Sequence, residues 1–248
     1  MFQPFSFFRE QTYTPITNLQ IEYLMVAGGG SGARDTSGQR NSGGGGAGGL
    51  ISGSATLDLT TTYPIVIGIR ANRRTSDGNG FVGGNTTFNG LTASGGGGGG
   101  TLTGGNGGSG GGGGTSTGGA GTSGQGYGGG DGNSSYNGGG GGGGGAAGFG
   151  QVGGSTPANG GLAAASSITG TSVYYASGGP ERDGAYNPSK TTYGAGGKSN
   201  AGDDTEIGTS GVVIIRYLGS QKATGGTITS SGGYTIHTFS SDGNFITD

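Results

Sequence analysis

Apolar residues gather toward the two ends of the chain in short runs with strand character. Ile21-Glu22-Tyr23-Leu24-Met25-Val26-Ala27, Tyr63-Pro64-Ile65-Val66-Ile67-Gly68-Ile69 and Gly211-Val212-Val213-Ile214-Ile215-Arg216-Tyr217 are rich in β-branched and aromatic residues and bounded by Gly, Asn or Thr. Tyr234-Thr235-Ile236-His237-Thr238-Phe239 and Asn244-Phe245-Ile246-Thr247 add two more, joined by Ser240-Ser241-Asp242-Gly243, whose Asp-Gly predicts a hairpin turn. These runs suffice for one small sheet or sandwich. Helical patterning is nearly absent, since Leu162-Ala163-Ala164-Ala165 is too short to nucleate a helix.

Between the apolar ends lies glycine, 72 of 248 residues. Gly95 to Gly100, Gly110 to Gly114 and Gly138 to Gly145 are unbroken runs, separated by inserts such as Thr101-Leu102-Thr103 and Thr115-Ser116-Thr117. Glycine loses more backbone freedom on folding than any other residue and has no side chain to bury in return. Such a segment either stays a flexible linker or folds by satisfying backbone with backbone. The flanking strands favour the second outcome, because they would hold its two ends together. Collagen is excluded by 6 prolines and the lack of a strict three-residue repeat. What remains is the left-handed polyglycine II helix, rising about 3.1 Å per residue, whose N–H and C=O groups point outward and can bond neighbouring helices. At that rise the run from Gly138 to Gly145 would span roughly 25 Å. The expected fold is therefore all-β with a non-regular insert: a small β-sheet or sandwich formed by the two chain ends, carrying a bundle of packed polyglycine II helices, with essentially no α-helix. Residues 1–20 form an N-terminal arm, 21–90 and 205–248 the strand base, and 91–204 the glycine-rich body. Alanine is expected to replace glycine where a helix faces outward or a wider gap.

Charge and motifs exclude more than they suggest. The formal net charge is -2 with no basic stretch longer than Arg73-Arg74, which leaves nucleic-acid binding little to work with. There is no cysteine, hence no disulfide framework or thiolate metal site. No apolar stretch approaches the roughly 20 residues of a membrane span, and the aromatic start lacks the basic region of a secretory signal. Copies of G-x-G-x-x-G arise from glycine content alone, without the strand and helix that a dinucleotide site needs. His237 sits in an alternating strand pattern and reads as a sheet side chain rather than a general base. Asp203, Asp204 and Glu206 form the densest carboxylate group, which reads as a solvated turn. No enzymatic activity and no cofactor are expected.

The strongest signal outside glycine is the aromatic and polar residues placed within the inserts. Tyr127, Asn133, Tyr136, Phe149, Tyr174, Tyr175, Arg182 and Tyr186 are the candidate binding residues. Tyr, Ser, Asn and Gly on a rigid support resemble antibody-like surfaces, where Tyr supplies contact area at low entropic cost. The competing reading is that these aromatics cap the open ends of the bundle. Because successive turns alternate between two ends, about half should be caps and half exposed. In the arm, Phe2, Phe5, Phe7 and Phe8 either dock on a partner or fold back as core.

Several segments together carry a family resemblance. Ile21-Glu22-Tyr23-Leu24-Met25-Val26-Ala27-Gly28-Gly29-Gly30, then Gly43-Gly44-Gly45-Gly46-Ala47-Gly48-Gly49-Leu50, the glycine runs, and Gly208-Thr209-Ser210-Gly211-Val212-Val213-Ile214-Ile215-Arg216-Tyr217 resemble the glycine-rich domain of bacteriophage tail-fibre and other virion appendage proteins. Ala223-Thr224-Gly225-Gly226 and the segment from Gly233 to Phe239 extend the resemblance. It implies a virion protein of a tailed phage, similar to polyglycine-sandwich adhesins whose distal turns touch a host receptor. Its partners would be other virion proteins through the arm and a host cell-surface glycan or outer-membrane protein through the loops, with multiple copies per particle and neither nucleic-acid binding nor membrane insertion. A capsid decoration or head fibre would need the same rigid projection. Stacked polyglycine helices also give flat faces, the basis of an ice-binding alternative.

Overall fold

The computed structural model describes residues 17–36, 42–134, 141–154, 156–199 and 207–248. These residues are all-β. The strands are β1 (Asn18–Val26), β2 (Leu50–Asp58), β3 (Thr62–Val66), β4 (Thr86–Phe88), β5 (Leu91–Ala93), β6 (Ala164–Ser166), β7 (Val173–Tyr175), β8 (Val212–Leu218), β9 (Ala223–Thr224), β10 (Thr227–Ser231), β11 (Tyr234–Phe239) and β12 (Gly243–Thr247). They form three antiparallel sheets, of order β10-β11-β8-β1-β2, β5-β4-β3-β12-β9 and β6-β7.

The period-2 pattern of the apolar ends fixes how the sheets stack. Ile21 and Met25 on β1, with Val213, Ile215 and Tyr217 on β8, face Ile65, Phe88 and Phe245 of the second sheet, and all are buried. Edge-to-face contacts of Phe88 with Tyr23, Tyr63 and Phe245 fill this interlayer. The alternate residues Leu24, Val26, Val212, Ile214 and Ile236 cover the outer face of the first sheet with Ile168, Tyr175, Ala176 and Ala47. The central strands β1 and β8 are thus buried on both faces, which is why they read as nearly continuous apolar runs.

The glycine runs leave the sheets directly and form a lattice. In the run from Gly43 to Gly49 the N–H groups of Gly43, Gly46 and Gly49 bond the carbonyls of Gly100, Gly97 and Ser94 at 2.9, 2.7 and 2.8 Å. Those of Gly44 and Ala47 bond Gly141 and Gly144, and those of Gly45 and Gly48 bond Gly197 and Gly194. A donor returns to the same neighbour every third residue, the signature of a helix with three residues per turn. The carbonyls of this run likewise receive Ala33, Gly30 and Ala27 from one side, Gly112 and Ser109 from a second, and Gly179 from a third. Counting both sets, the central run touches six neighbours among the described residues, a hexagonal arrangement built from backbone alone. Pairings with falling partner numbers are antiparallel, and the one with 141–144 is parallel.

Two sequence expectations need correction. The Asp242-Gly243 segment is not a hairpin: β11 belongs to the first sheet and β12 to the second, so the chain crosses between layers there. Asp242 Oδ1 accepts the N–H of Ile67 at 2.7 Å, tying the crossover to β3, while Phe239 and Phe245 both enter the interlayer. Tight hairpins form instead at Asn89-Gly90, joining β4 to β5, and at Gly232-Gly233, joining β10 to β11; each pair has positive φ at both positions, as a type I′ turn requires. Ala27, Ala47, Ala176 and Ala195 are fully buried rather than outward-facing. Ala47 and Ala176 fill the wider gap between lattice and sheet.

Candidate binding surface

The lattice connections define two poles. The chain leaves β1 at Ala27, runs away from the sandwich to Arg34, and returns through Ser42 to β2 at Leu50. Following the pairings onward, the turns at 72–77, 101–103, 114–117, 131–134 and 182–184 lie at the far pole. The turns at 122–125 and 146–148 and the β6-β7 hairpin lie beside the sandwich. Thr17, where residues 1–16 join, is at the opposite end of β1 from the lattice. Asp248 lies there too, its N–H bonded to Lys222.

The far-pole turns hold one another. Leu102 O accepts the N–H groups of Gly114 and Ser116 at 2.9 and 3.1 Å, Ser116 O accepts Gly132 at 2.7 Å, and Asp131 O accepts Gly153 at 2.7 Å. Side chains add to this chain of bonds. Asn79 Oδ1 accepts both the N–H and the hydroxyl of Thr101, and Asp131 Oδ1 accepts the N–H of Gly118. Thr36 donates its hydroxyl to Asp77 at 2.7 Å, while Arg34 reaches the carbonyl of Thr75. The face so built is polar and small, with Thr103, Thr117 and Ser134 exposed and two large apolar side chains, Leu102 and Val152, standing out of it.

The sequence candidates divide between the poles. Asn133 and Arg182 lie at the far pole, Arg182 beside Asp183 with 3.7 Å between charged atoms. Tyr186 is half-buried, donates to Gly196 O and carries Lys190 over its ring, so it serves the lattice. Tyr127 and Phe149 are 42% and 70% exposed but flank the sandwich side, packed edge-to-face at 5.0 Å. Tyr174 is exposed on β7, whereas Tyr175 is 2% exposed and leaves the candidate set. The period of two turns Tyr175 inward, where it stacks on Tyr193 and burial raises its phenol pKa. Phe2, Phe5, Phe7, Phe8, Tyr136, Asp203, Asp204 and Glu206 lie outside the described residues.

Leu102, Thr103 and Thr117 were missed as candidates because Thr-containing inserts read as plain turns, and Val152 because it follows the aromatic Phe149 in the same stretch. The available signal was position: an insert between two glycine runs has to be a turn at one pole or the other. His237 occupies the interlayer, fully buried. Its Nδ1 lies 2.8 Å from Gly225 O and its Nε2 2.9 Å from the Tyr217 hydroxyl, which accepts the N–H of Lys222 at 3.0 Å. This set of partners assigns the proton to Nδ1 and makes Tyr217 the donor to Nε2. Burial lowers the His237 pKa, so the ring is held neutral and structural. Among the described residues no group of three or more His, Asp or Glu gathers as a metal site, and no helix is long and apolar enough to cross a membrane.

A comparison with curated proteins finds no match. The family model for a glycine-rich domain matches residues 8–218, spanning β1 through β8 and every glycine run between them. With strands that bracket a lattice of glycine helices over that whole span, the chain belongs to this glycine-rich domain family.

Proposed function

We propose that this chain is a structural and binding protein of a bacteriophage particle, a tail-fibre or tail-tip adhesin without enzymatic activity. The observation that carries the reading is polarity: Thr17 and Asp248 lie at one end, and the mutually bonded turns lie at the other, beyond the lattice. The sandwich end, with residues 1–16 joined to it, serves attachment to other virion proteins. The far pole meets a host cell-surface glycan or outer-membrane protein. Recognition rewards turns that do not have to be ordered on binding, because each immobilised side chain or loop otherwise costs affinity. The bonds from Leu102 to Ser116 to Gly132 supply that order before contact. The resemblance of the flanking motifs to virion appendage proteins supplies the particle.

The test is competition. Purified chain should block adsorption of the phage that encodes it, and Leu102→Asp with Thr103→Arg should weaken that block at least about tenfold while leaving the fold intact, since both side chains are exposed. Gold labelling at the tail should accompany it. Labelling confined to the capsid would replace the adhesin with a head fibre. Ice recrystallisation inhibition by the same protein would overturn both.

A further inference from the structure

Across the outer face of the first sheet runs an open groove whose walls carry hydroxyls and a carboxylate. Side chains on that face repeat every second residue, so Ser52 and Ser54 of β2 stand beside their cross-strand partners Leu24 and Glu22 of β1, and Arg216 of β8 stands beyond Glu22. The connection from β6 to β7 forms the opposite wall, and Ser54, Glu22, Ser167 and Arg216 line a cavity of about 600 Å³. A second cavity of about 490 Å³, lined by Leu50, Ser123 and Tyr127, shares Ser52 with the first. From Ser54 to Leu50 the strand covers roughly 14 Å, and each cavity has the size of a small-ligand pocket.

The Glu22–Arg216 pair is built into this groove. Arg216 donates from Nε and Nη2 to Oε2 of Glu22 at 3.2 and 2.7 Å and from Nη1 to the carbonyls of Ser167 and Ile168 at 3.2 and 3.3 Å, and it lies over the Tyr234 ring. These contacts fix the guanidinium and, through it, the carboxylate. The Glu22 side chain is 45% exposed, and its Oε1 has no hydrogen bond among the described residues. The hydroxyls of Ser52, Ser54 and Ser123 likewise have no partner there. At the other end of the groove Tyr127 presents an exposed ring, braced edge-to-face by Phe149.

A fixed carboxylate oxygen accepts strong hydrogen bonds from hydroxyls, and serine both donates and accepts. An exposed aromatic ring stacks on a face of C–H groups. A pyranose asks for these three things, since its rim is hydroxyl and its faces are C–H. A polypeptide partner anchors instead through apolar side chains in desolvated apolar pockets. The floor between Ser52 and Arg216 offers none, because Leu24 and Ile168 are already buried in the core.

We propose that this groove binds an oligosaccharide, with Glu22 and Ser54 taking the hydroxyls of one sugar and Tyr127 stacking on another. It opens sideways from the sandwich, so it neither needs the far pole nor blocks it.

Titration of the isotope-labelled full chain with maltohexaose, cellohexaose and chitohexaose, followed by NMR, tests this. At least one saccharide should shift the amides of Glu22, Ser52, Ser54 and Tyr127 and leave those of Leu102 and Thr117 in place. For that saccharide, Tyr127→Ala should weaken binding about tenfold through lost stacking, and Glu22→Gln about tenfold through the lost charge on the acceptor. Because Glu22 also holds Arg216, Ser54→Tyr gives the independent check. Its ring fills the groove from an exposed position and removes no bond between strands, so it should abolish binding with the unfolding midpoint unchanged. No shift with any of the three saccharides, shifts confined to the far pole, or binding that survives Ser54→Tyr would each overturn the proposal. Shifts of the same four amides by an acetylated hexapeptide of alternating Thr and Val, with none by the saccharides, would overturn it in favour of an extended polypeptide.

Discussion

At Gly45 the reason for glycine is space. No residue from Gly43 to Gly49 has positive φ, so any L-residue could adopt the backbone there. A Cβ at Gly45, however, would overlap the carbonyl of Gly30, and one at Gly43 would overlap that of Gly112. Both obstacles are backbone atoms of neighbouring helices and cannot rotate away. Gly45→Ala should therefore cost about 2–3 kcal/mol through overpacking and the loss of a lattice bond. Gly154, with nothing within 4 Å of the added carbon, should accept alanine within about 0.5 kcal/mol. Urea unfolding of the two variants measures the difference. Equal effects at both positions would mean that chain entropy, not helix contact, sets the glycine requirement. The sequence shows that glycine is abundant but not which glycines are crowded, because crowding depends on which neighbours each run has in the lattice.

At the scale of elements, the strands with apolar faces on both sides were legible and the edge strands were not. β1 and β8 announce themselves as Leu24-Met25-Val26 and Val212-Val213-Ile214-Ile215, since each face meets a core. β2 and β10, made of Ser, Thr and Gly at most exposed positions, do not differ in composition from the inserts. The Asp-Gly at 242–243 misleads because a turn signal says that the chain bends and not which sheet it re-enters. One element contact makes a pH prediction. His237 joins β11 to Tyr217 of β8 and to Gly225, and its pKa is lowered in the fold. The unfolded chain, with histidine near 6.5, then binds more protons than the folded one in the window below that value. Stability should be complete above about pH 6.5 and decline as pH falls from there toward the lowered folded value. Thermal unfolding across this window should show the slope, and His237→Gln should be less stable at pH 8 but lose this component of the slope. An unchanged slope in that variant would remove histidine as its source. Tyr217→Phe leaves Nε2 of His237 and the N–H of Lys222 without their partner and should cost about 1–3 kcal/mol at all pH values.

At the scale of the whole molecule, the division into a strand base and a glycine lattice was legible, because strands at both ends have to hold what lies between them. The interleaving was less so: glycine helices begin at Ala27 and recur between β3 and β4, so base and lattice alternate along the chain. The binding surface was the least legible part. Tyr127 and Phe149 drew attention as aromatics but flank the sandwich side, whereas the far pole is built from Thr101-Leu102-Thr103 and Thr115-Ser116-Thr117. Which end a turn occupies follows from counting passes through the lattice, a property of the assembled array. The central claim is that backbone bonds between glycine helices make this array rigid, and amide hydrogen exchange by NMR tests it most directly. The account predicts that the amides of Gly43 to Ala47 and Gly96 to Gly97, all bonded to neighbouring runs, exchange as slowly as those of β1 and β8. Exchange of these amides at the rate of an unstructured glycine chain, with β1 and β8 still protected, would contradict it.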